Sequence, residues 1–402
     1  MQALILRILF FFCLCFLVSA NHLQAQSGKA DSTLDINDLY RIISKKKGPL
    51  IPDSIVKRKL GPFYTIIPYP GYAMVTGFLV GLTNNLAFYT HAGEDARISN
   101  IQMNNVYSQY NQYINIINST IWLSHERFNL VGDWRFYQFP TNTFGLGSKT
   151  KLSDAIPVDY SELKIDEVLL AKLAMNFSGG VGYNYNNHWN ISETKASPAS
   201  MTDIDRYGFS SQSVSSGFTI NLQYDNRLNS NHPTNGAYVY FQYGDNLKAL
   251  GSSGTWQSVL LDARYYINTS KKTGNVLALW SYNWLTLSGN PPYFDLPATG
   301  TDTYDNTARA YVEGRYRGLN LIYTEAEYRF RWMKSDLLGG VVFLNASTFT
   351  EYPDNRFERI NPGTGLGLRI KMNKKSNTNL CVDYGIGTGG SRGFAFNLNE
   401  VF

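Results

Sequence analysis

Past its first 25 residues the chain has no apolar run near the roughly 18 residues that a membrane-spanning helix needs. Charge is also scarce: Asp, Glu, Lys and Arg make up only 17% of 402 residues, and the net charge of +5 is mild and spread along the chain. No basic face interleaved with aromatics is visible, so there is no nucleic-acid footprint. Cysteine is nearly missing. Cys13 and Cys15 lie in the apolar N-terminal stretch, which leaves Cys381 with no partner for an internal disulfide. Cys381 reads as a small, well-packed strand residue rather than a redox or metal group. No His-x-x-x-His spacing or other metal-ligand pattern occurs, and no cofactor is expected.

What is present points one way. Arg7 precedes an unbroken apolar stretch from Ile8 to Val18, followed by small residues. That is the order of a secretory signal, with cleavage after Ala20 or Ala25. Neither cysteine sits in a lipoprotein site, so no lipid anchor is expected. Aromatics reach 14%, with 28 Tyr and 23 Phe, and charges gather in turns. Strands with lipid on one side and water on the other, girdled by aromatics, have this composition. The expected layout is a signal over 1–25, a periplasmic segment over 26–60 and an outer-membrane β-barrel over 61–402. In the periplasmic segment Ser32 or Thr33 could cap a short helix with Ile36, Leu39, Tyr40 and Ile43 on one face. The segment then reads either as a solvated linker or as a helix docked at the barrel mouth.

From Phe63 onward, strands of about ten residues alternate with turn chemistry. Ile220, Leu222 and Tyr224 share one face; Tyr238, Tyr240 and Gln242 share another; Phe394, Phe396, Leu398 and Phe402 fall on one side of the last segment. Short turns, such as those at 269–274 and 373–376, alternate with long loops at about 140–160, 189–212, 289–317 and 350–361. In lipid every main-chain donor and acceptor must be paired within the protein, so the strands must close on themselves. The fold class is therefore all-β: a transmembrane up-and-down antiparallel barrel of about 16 strands, with least certain boundaries in 62–110.

Four stretches of the barrel resemble the BamA/TamA family of outer-membrane assembly factors, also called bacterial surface antigens. Asp225-Asn226-Arg227, then Pro233 and Gly236, is similar to the family's periplasmic turn. Arg309-Ala310-Tyr311 stands where the family presents an Arg-Gly-aromatic tip on a loop folded into the lumen. Val341-Val342-Phe343-Leu344-Asn345-Ala346 resembles a strand that usually carries Asp and Gly at its last two positions. Gly363-Thr364-Gly365-Leu366-Gly367-Leu368-Arg369 with Val382-Asp383-Tyr384-Gly385 looks like the penultimate hairpin. The resemblance implies a lumen-loop lock built from Arg309, Tyr311, Asp383, Asn345 and Glu327, and a terminal signal in Phe394, Phe396, Leu398 and Phe402. Ala310 and Asn345 depart from the pattern, which makes Asp383 the better partner for Arg309. Residues 26–60 are too few for one of the soluble repeat domains that precede such barrels.

The resemblance implies assistance in inserting outer-membrane components, with a seam between the last strand and the segment near 62–81 templating an incoming strand. Partners would be outer-membrane lipid, unfolded outer-membrane protein clients and a periplasmic protein supplying the missing repeats. The alternative is a passive barrel or small channel plugged by its loop. Catalysis is not expected. A lipase-like site would need a His near a Ser with an orienting third group; His188 and Ser192 lie near an external loop, but Asn-rich loops supply such coincidences freely. His125 reads as solvated, and His232 belongs to the Asp225–Gly236 turn. Tyr183, Tyr185 and Trp189 read as interface girdle residues rather than a carbohydrate site.

Overall fold

The computed structural model describes residues 34–35, 62–91, 97–123, 125–194, 201–227, 229–230, 232–270, 274–332, 335–373 and 377–402. The signal, the possible helix at 33–43 and nearly all of 26–60 lie outside them.

Sixteen long antiparallel strands follow one another in chain order. They are β1 Phe63–Ala73, β2 Gly77–Phe88, β3 Ser99–Ser108, β4 Tyr113–Leu123, β5 Phe128–Gln138 and β6 Ile156–Ala174. Next come β7 Phe177–Glu193, β8 Gln212–Asp225, β9 Gly236–Asn246, β10 Trp256–Ser270 and β11 Asn275–Gly289. The last five are β12 Asn320–Arg331, β13 Leu338–Glu351, β14 Asn361–Asn373, β15 Thr378–Gly387 and β16 Arg392–Leu398. Each pairs with its chain neighbours, and short ladders at Thr141–Thr143 and Arg356–Phe357 extend two loops. Among the described residues no helix is long and apolar enough to cross a membrane.

The distribution of side chains is inside out, and it explains why this sequence makes a barrel rather than a sandwich. Along β8, Ser213, Ser215, Thr219 and Asn221 are buried, whereas Phe218, Ile220, Leu222 and Tyr224 are exposed. Along β12, Glu325, Glu327 and Arg329 are buried while Ile322 and Tyr328 point outward. A period of two puts these sets on opposite faces. An exposed apolar set this large would be a liability in water.

Connections differ between the two rims. One rim carries 139–155, 194–211, 290–319 and 352–360, the places where the sequence predicts long loops. The other carries tight turns, several closed by residues at positive φ such as Asn176, Asp336 and Asn377. Two connections on this second rim are longer than the alternation suggests: 89–98 and 226–235. Leu34 reaches this rim, donating its main-chain N–H to the Ser335 carbonyl at 2.8 Å and packing near Leu337, Leu338 and Ile370.

Closure is incomplete. β1 and β16 approach each other, and the Met74 side chain lies over Gly393 where a Cβ would have no room. Yet no ladder joins the two strands among the described residues. The predicted opening strand over 62–81 is corrected: it is β1, a turn at 74–76 and the start of β2.

Candidate functional site

The loop 290–319 enters the lumen because its charged tip finds a prepared wall. Arg309 is 2% exposed. Its Nε donates to Asp383 Oδ2 at 3.0 Å, and Nη1 donates to Glu325 Oε1 at 2.5 Å. Nη1 also forms an ion pair with Glu327, and the guanidinium lies 3.9 Å from the centre of the Phe343 ring. β12 and β15 supply these three carboxylates from alternate, inward-facing positions. A buried guanidinium is tolerated only with such compensation.

The second cluster continues from the first. Arg369 on β14 donates to Asp383 Oδ1 at 2.6 Å and to Glu400 Oε2 at 2.8 Å. Arg329 donates to Glu327 Oε1 at 2.6 Å and lies 3.7 Å from Glu400. Glu400 also meets His232 Nδ1 at 3.1 Å. Three arginines and four carboxylates thus form one continuous network from the loop tip to the opposite rim.

Tyr311 sits beside this network. Its hydroxyl donates to the Pro362 carbonyl at 2.6 Å and accepts from the Thr388 N–H at 3.0 Å. Asn345 does not touch Arg309; its amide donates to Glu325 Oε2 at 3.4 Å. Alanine at the tip is accommodated by the wall. Ala310 is fully buried against Gly363 and Gly385, and a Cβ on Gly385 would run into the main chain of Arg309 and Ala310. Residues 309–311 have no positive φ, so glycine is not needed there.

The turn after β8 is a compact unit. Asp225 accepts from the Arg227 N–H at 3.1 Å and from Nε and Nη2 at 2.9 Å each, and the guanidinium lies 4.4 Å from the Tyr238 ring centre. Gly236 has φ 103°, and the Pro233 carbonyl accepts from Arg329 Nη1 at 3.3 Å. This turn therefore touches the second cluster.

The terminal segment departs from the sequence expectation. Phe396 and Leu398 are exposed on β16, but Asn399 adopts φ 72° and turns the chain inward. Phe402 is 2% exposed and stacks on Trp280 with ring centres 5.1 Å apart. Its main-chain oxygen accepts from Arg329 Nη2 at 2.7 Å. Placing Phe402 on one face with Phe394, Phe396 and Leu398 is corrected: it leaves the strand, and its partners come from β10 to β12 rather than from β1. The roles of Glu325, Arg329, Arg369 and Glu400 were not read from the sequence. The available signal was charge at i, i+2, i+4 (Glu325, Glu327, Arg329) within a strand whose other face is apolar.

His188 is also placed differently from expectation. It is buried in the lumen wall of β7, 3.8 Å from Glu162 and 3.9 Å from Asp295, whereas Ser192 is exposed. The two do not form a pair. Around His188 the loop's other face and the β5–β11 wall form a polar chamber of ≈ 170 Å³, lined by residues including Glu162, Lys164, His188, Asp295, Glu313 and Arg317. Burial pushes the Glu313 carboxyl up to about 7 against the pull of Arg135. Among the described residues no group of His, Cys, Asp and Glu could hold a metal ion.

No protein-family model matches the sequence, and no curated protein matches it. Solved structures do. BamA from Haemophilus ducreyi, in a form lacking POTRA domains 1–3, matches with a TM-score of 0.57 and 14% identity, over 87% of this chain and 74% of that one. CdiB from Acinetobacter baumannii matches with a TM-score of 0.52 and 11% identity, over 84% of this chain and 59% of that one. At these identities the likeness is one of fold.

Proposed function

We propose that this chain is a bacterial outer-membrane barrel that assists the insertion or assembly of outer-membrane components through its β1–β16 seam. The observation that carries the reading is the missing ladder between the first and last strands. An unpaired strand edge offers a row of N–H and C=O groups that an incoming strand can extend. Tyr64, Ile66 and Ile67 of β1 are each at least half exposed among the described residues. The inside-out barrel supports a lipid setting, because the exposed apolar residues gain a solvent that matches them. The Arg309 network would keep the wall ordered while the seam parts. The partners are membrane lipid and unfolded barrel proteins, with a periplasmic protein to deliver them.

The test is reconstitution in lipid vesicles with a urea-denatured barrel protein added as client. The client is expected to fold several-fold faster than in empty vesicles. A Met74→Cys, Gly393→Cys, Cys381→Ser variant oxidised to close the seam should lose that gain. Equal client folding with and without the protein overturns the reading.

The chamber favours a second reading, that of a small plugged channel. Stepwise ion conductance in a planar bilayer, with no effect on client folding, would select it.

A further inference from the structure

We propose that the outward face around Glu167 is where a second copy of this chain docks within the membrane, the two barrels meeting through paired Glu167 carboxyl groups. The inference goes beyond the proposed function and stands whether or not the seam receives clients.

Glu167 points toward the wrong solvent. Along β6 the side chains of Val168 and Leu170 are buried on the lumen face, whereas Leu169 is 41% exposed, and Glu167 shares the outer face with it. Its register partner on β5 is Gly132, and the partner of Gly132 on β4 is Ser119. Leu163 and Ile165 precede Glu167 on this face, and Leu169 and Ala171 follow it. The carboxylate therefore stands inside an apolar band rather than at a rim. Among the described residues the other carboxylates at outward positions, Asp159 and Asp245, lie near strand ends. A carboxylate facing hydrocarbon is costly, and such a residue marks a site.

The surrounding groups leave room for a partner. Trp134 Nε1 donates to Glu167 Oε1 at 2.8 Å, but Oε2 has no hydrogen bond. Glu167 is only partly covered, so rotation of its flexible side chain brings Oε2 to the lipid surface. Gly132 forms a notch beneath it, since a Cβ there would lie 2.6 Å from both Ser119 Oγ and Glu167 Oε1. Small residues let membrane segments approach closely, as they do between helices. Asn105 and Asn115 pair across β3 and β4 on the same face. Asn115 Nδ2 donates to Asn105 Oδ1 at 2.5 Å, which leaves the Asn105 amide N–H groups and the Asn115 amide carbonyl for an outside partner.

These unmatched groups select the occupant. A cationic partner would call for acceptors alone, whereas this face holds donors and acceptors together and so complements itself. Two copies embedded the same way up are related by a two-fold axis along the membrane normal, which keeps every residue at its own height. Beside that axis each Glu167 meets its copy, and one carboxyl donates to the other carboxylate so that the pair shares a proton. Hydrocarbon offers no such partner, so a lone barrel forgoes these bonds.

The experiment uses the full chain in lipid vesicles, in a Cys381→Ser background. One variant carries Leu169→Cys beside Glu167, and the control carries Leu344→Cys, 61% exposed on β13. Oxidation is expected to give a disulfide-linked dimer at least tenfold faster with Leu169→Cys than with the control. Adding Glu167→Leu should remove that advantage. This change suits the lipid face, so the barrel keeps its fold. Glu167→Gln, whose amide both donates and accepts, should keep the advantage. Equal linking at the two positions reports random collision and overturns the proposal, as does linking that survives Glu167→Leu. A barrel that stays monomeric while a hydrophobic carbodiimide modifies Glu167 has that carboxyl alone in lipid, which overturns it too.

Discussion

Arg309 and Asp383, 74 positions apart in sequence, meet inside the barrel with Nε and Oδ2 at 3.0 Å, both side chains out of reach of solvent. The pair does more than fix a loop, since Asp383 also accepts from Arg369 and so joins the inserted tip to the second cluster.

Arg309→Ala removes one cation from three carboxylates and should lower resistance to unfolding by about 3–5 kcal/mol, the range for breaking a buried pair. Asp383→Asn should cost less, because Glu325 and Glu327 still face the guanidinium. Urea titration followed by the gel shift of the folded barrel measures both. A coupling energy of at least about 0.5 kcal/mol is expected in the double-mutant cycle, and strict additivity would refute the interaction.

Gly385→Val should expel the loop tip. A side chain there meets the main chain of Arg309 and Ala310, which cannot give way as a flexible side chain could. Trypsin should then cut within 290–319 in the folded barrel, while the parent stays intact. A resistant variant would show that the wall can shift to admit the extra carbons.

Glu313 gives the lumen a pH dependence. Its carboxyl stands at about 7 in the fold against an ordinary 4.5, with burial as the main cause. Between those values the unfolded chain is ionised while the folded one keeps its proton. Stability should therefore be full below pH 4.5, fall as pH rises toward 7 and level off above it. Thermal midpoints at pH 4.5, 6 and 7.5 test this, and Glu313→Gln should flatten that part of the curve. An unchanged slope in the variant would assign the dependence to another group.

Asp225→Ala should destabilise the turn after β8 by about 1 kcal/mol, since Asp225 caps the Arg227 N–H and pairs with its guanidinium at a partly exposed position. Hydrogen exchange at 226–237 is expected to quicken while β6 and β7 keep their protection. Protection lost throughout the barrel would instead make this turn part of the global unfolding unit.

The barrel was legible because two signals coincide in this sequence. Strand periodicity places residues such as Ile220 and Leu222 together, and the polar residues between them are ones that a soluble core would reject. The long connections at 139–155, 194–211, 290–319 and 352–360 were legible for a related reason: no alternation survives in them. The pairing of Arg309 with Asp383 followed from a resemblance between motifs, not from spacing. Phe402 was misplaced because it keeps the phase of Phe394, Phe396 and Leu398, and the change of direction depends on one backbone angle at Asn399. The partner that rewards this turn, Trp280, lies 122 positions earlier, too far for any local pattern to announce it. Glu400 was missed for the same reason.

The contact between Asn306 and Val401 has a consequence for biosynthesis. Arg309 is translated well before Asp383, and Glu400, which braces both Arg329 and Arg369, comes later still. A chain delivered amino end first thus brings Arg309 and Arg329 together with Glu325 and Glu327, but without Asp383 and Glu400 until those later residues arrive. The bulkhead across the cylinder is therefore braced in stages, and a nascent barrel interrupted before Asp383 and Glu400 would hold it by Glu325 and Glu327 alone.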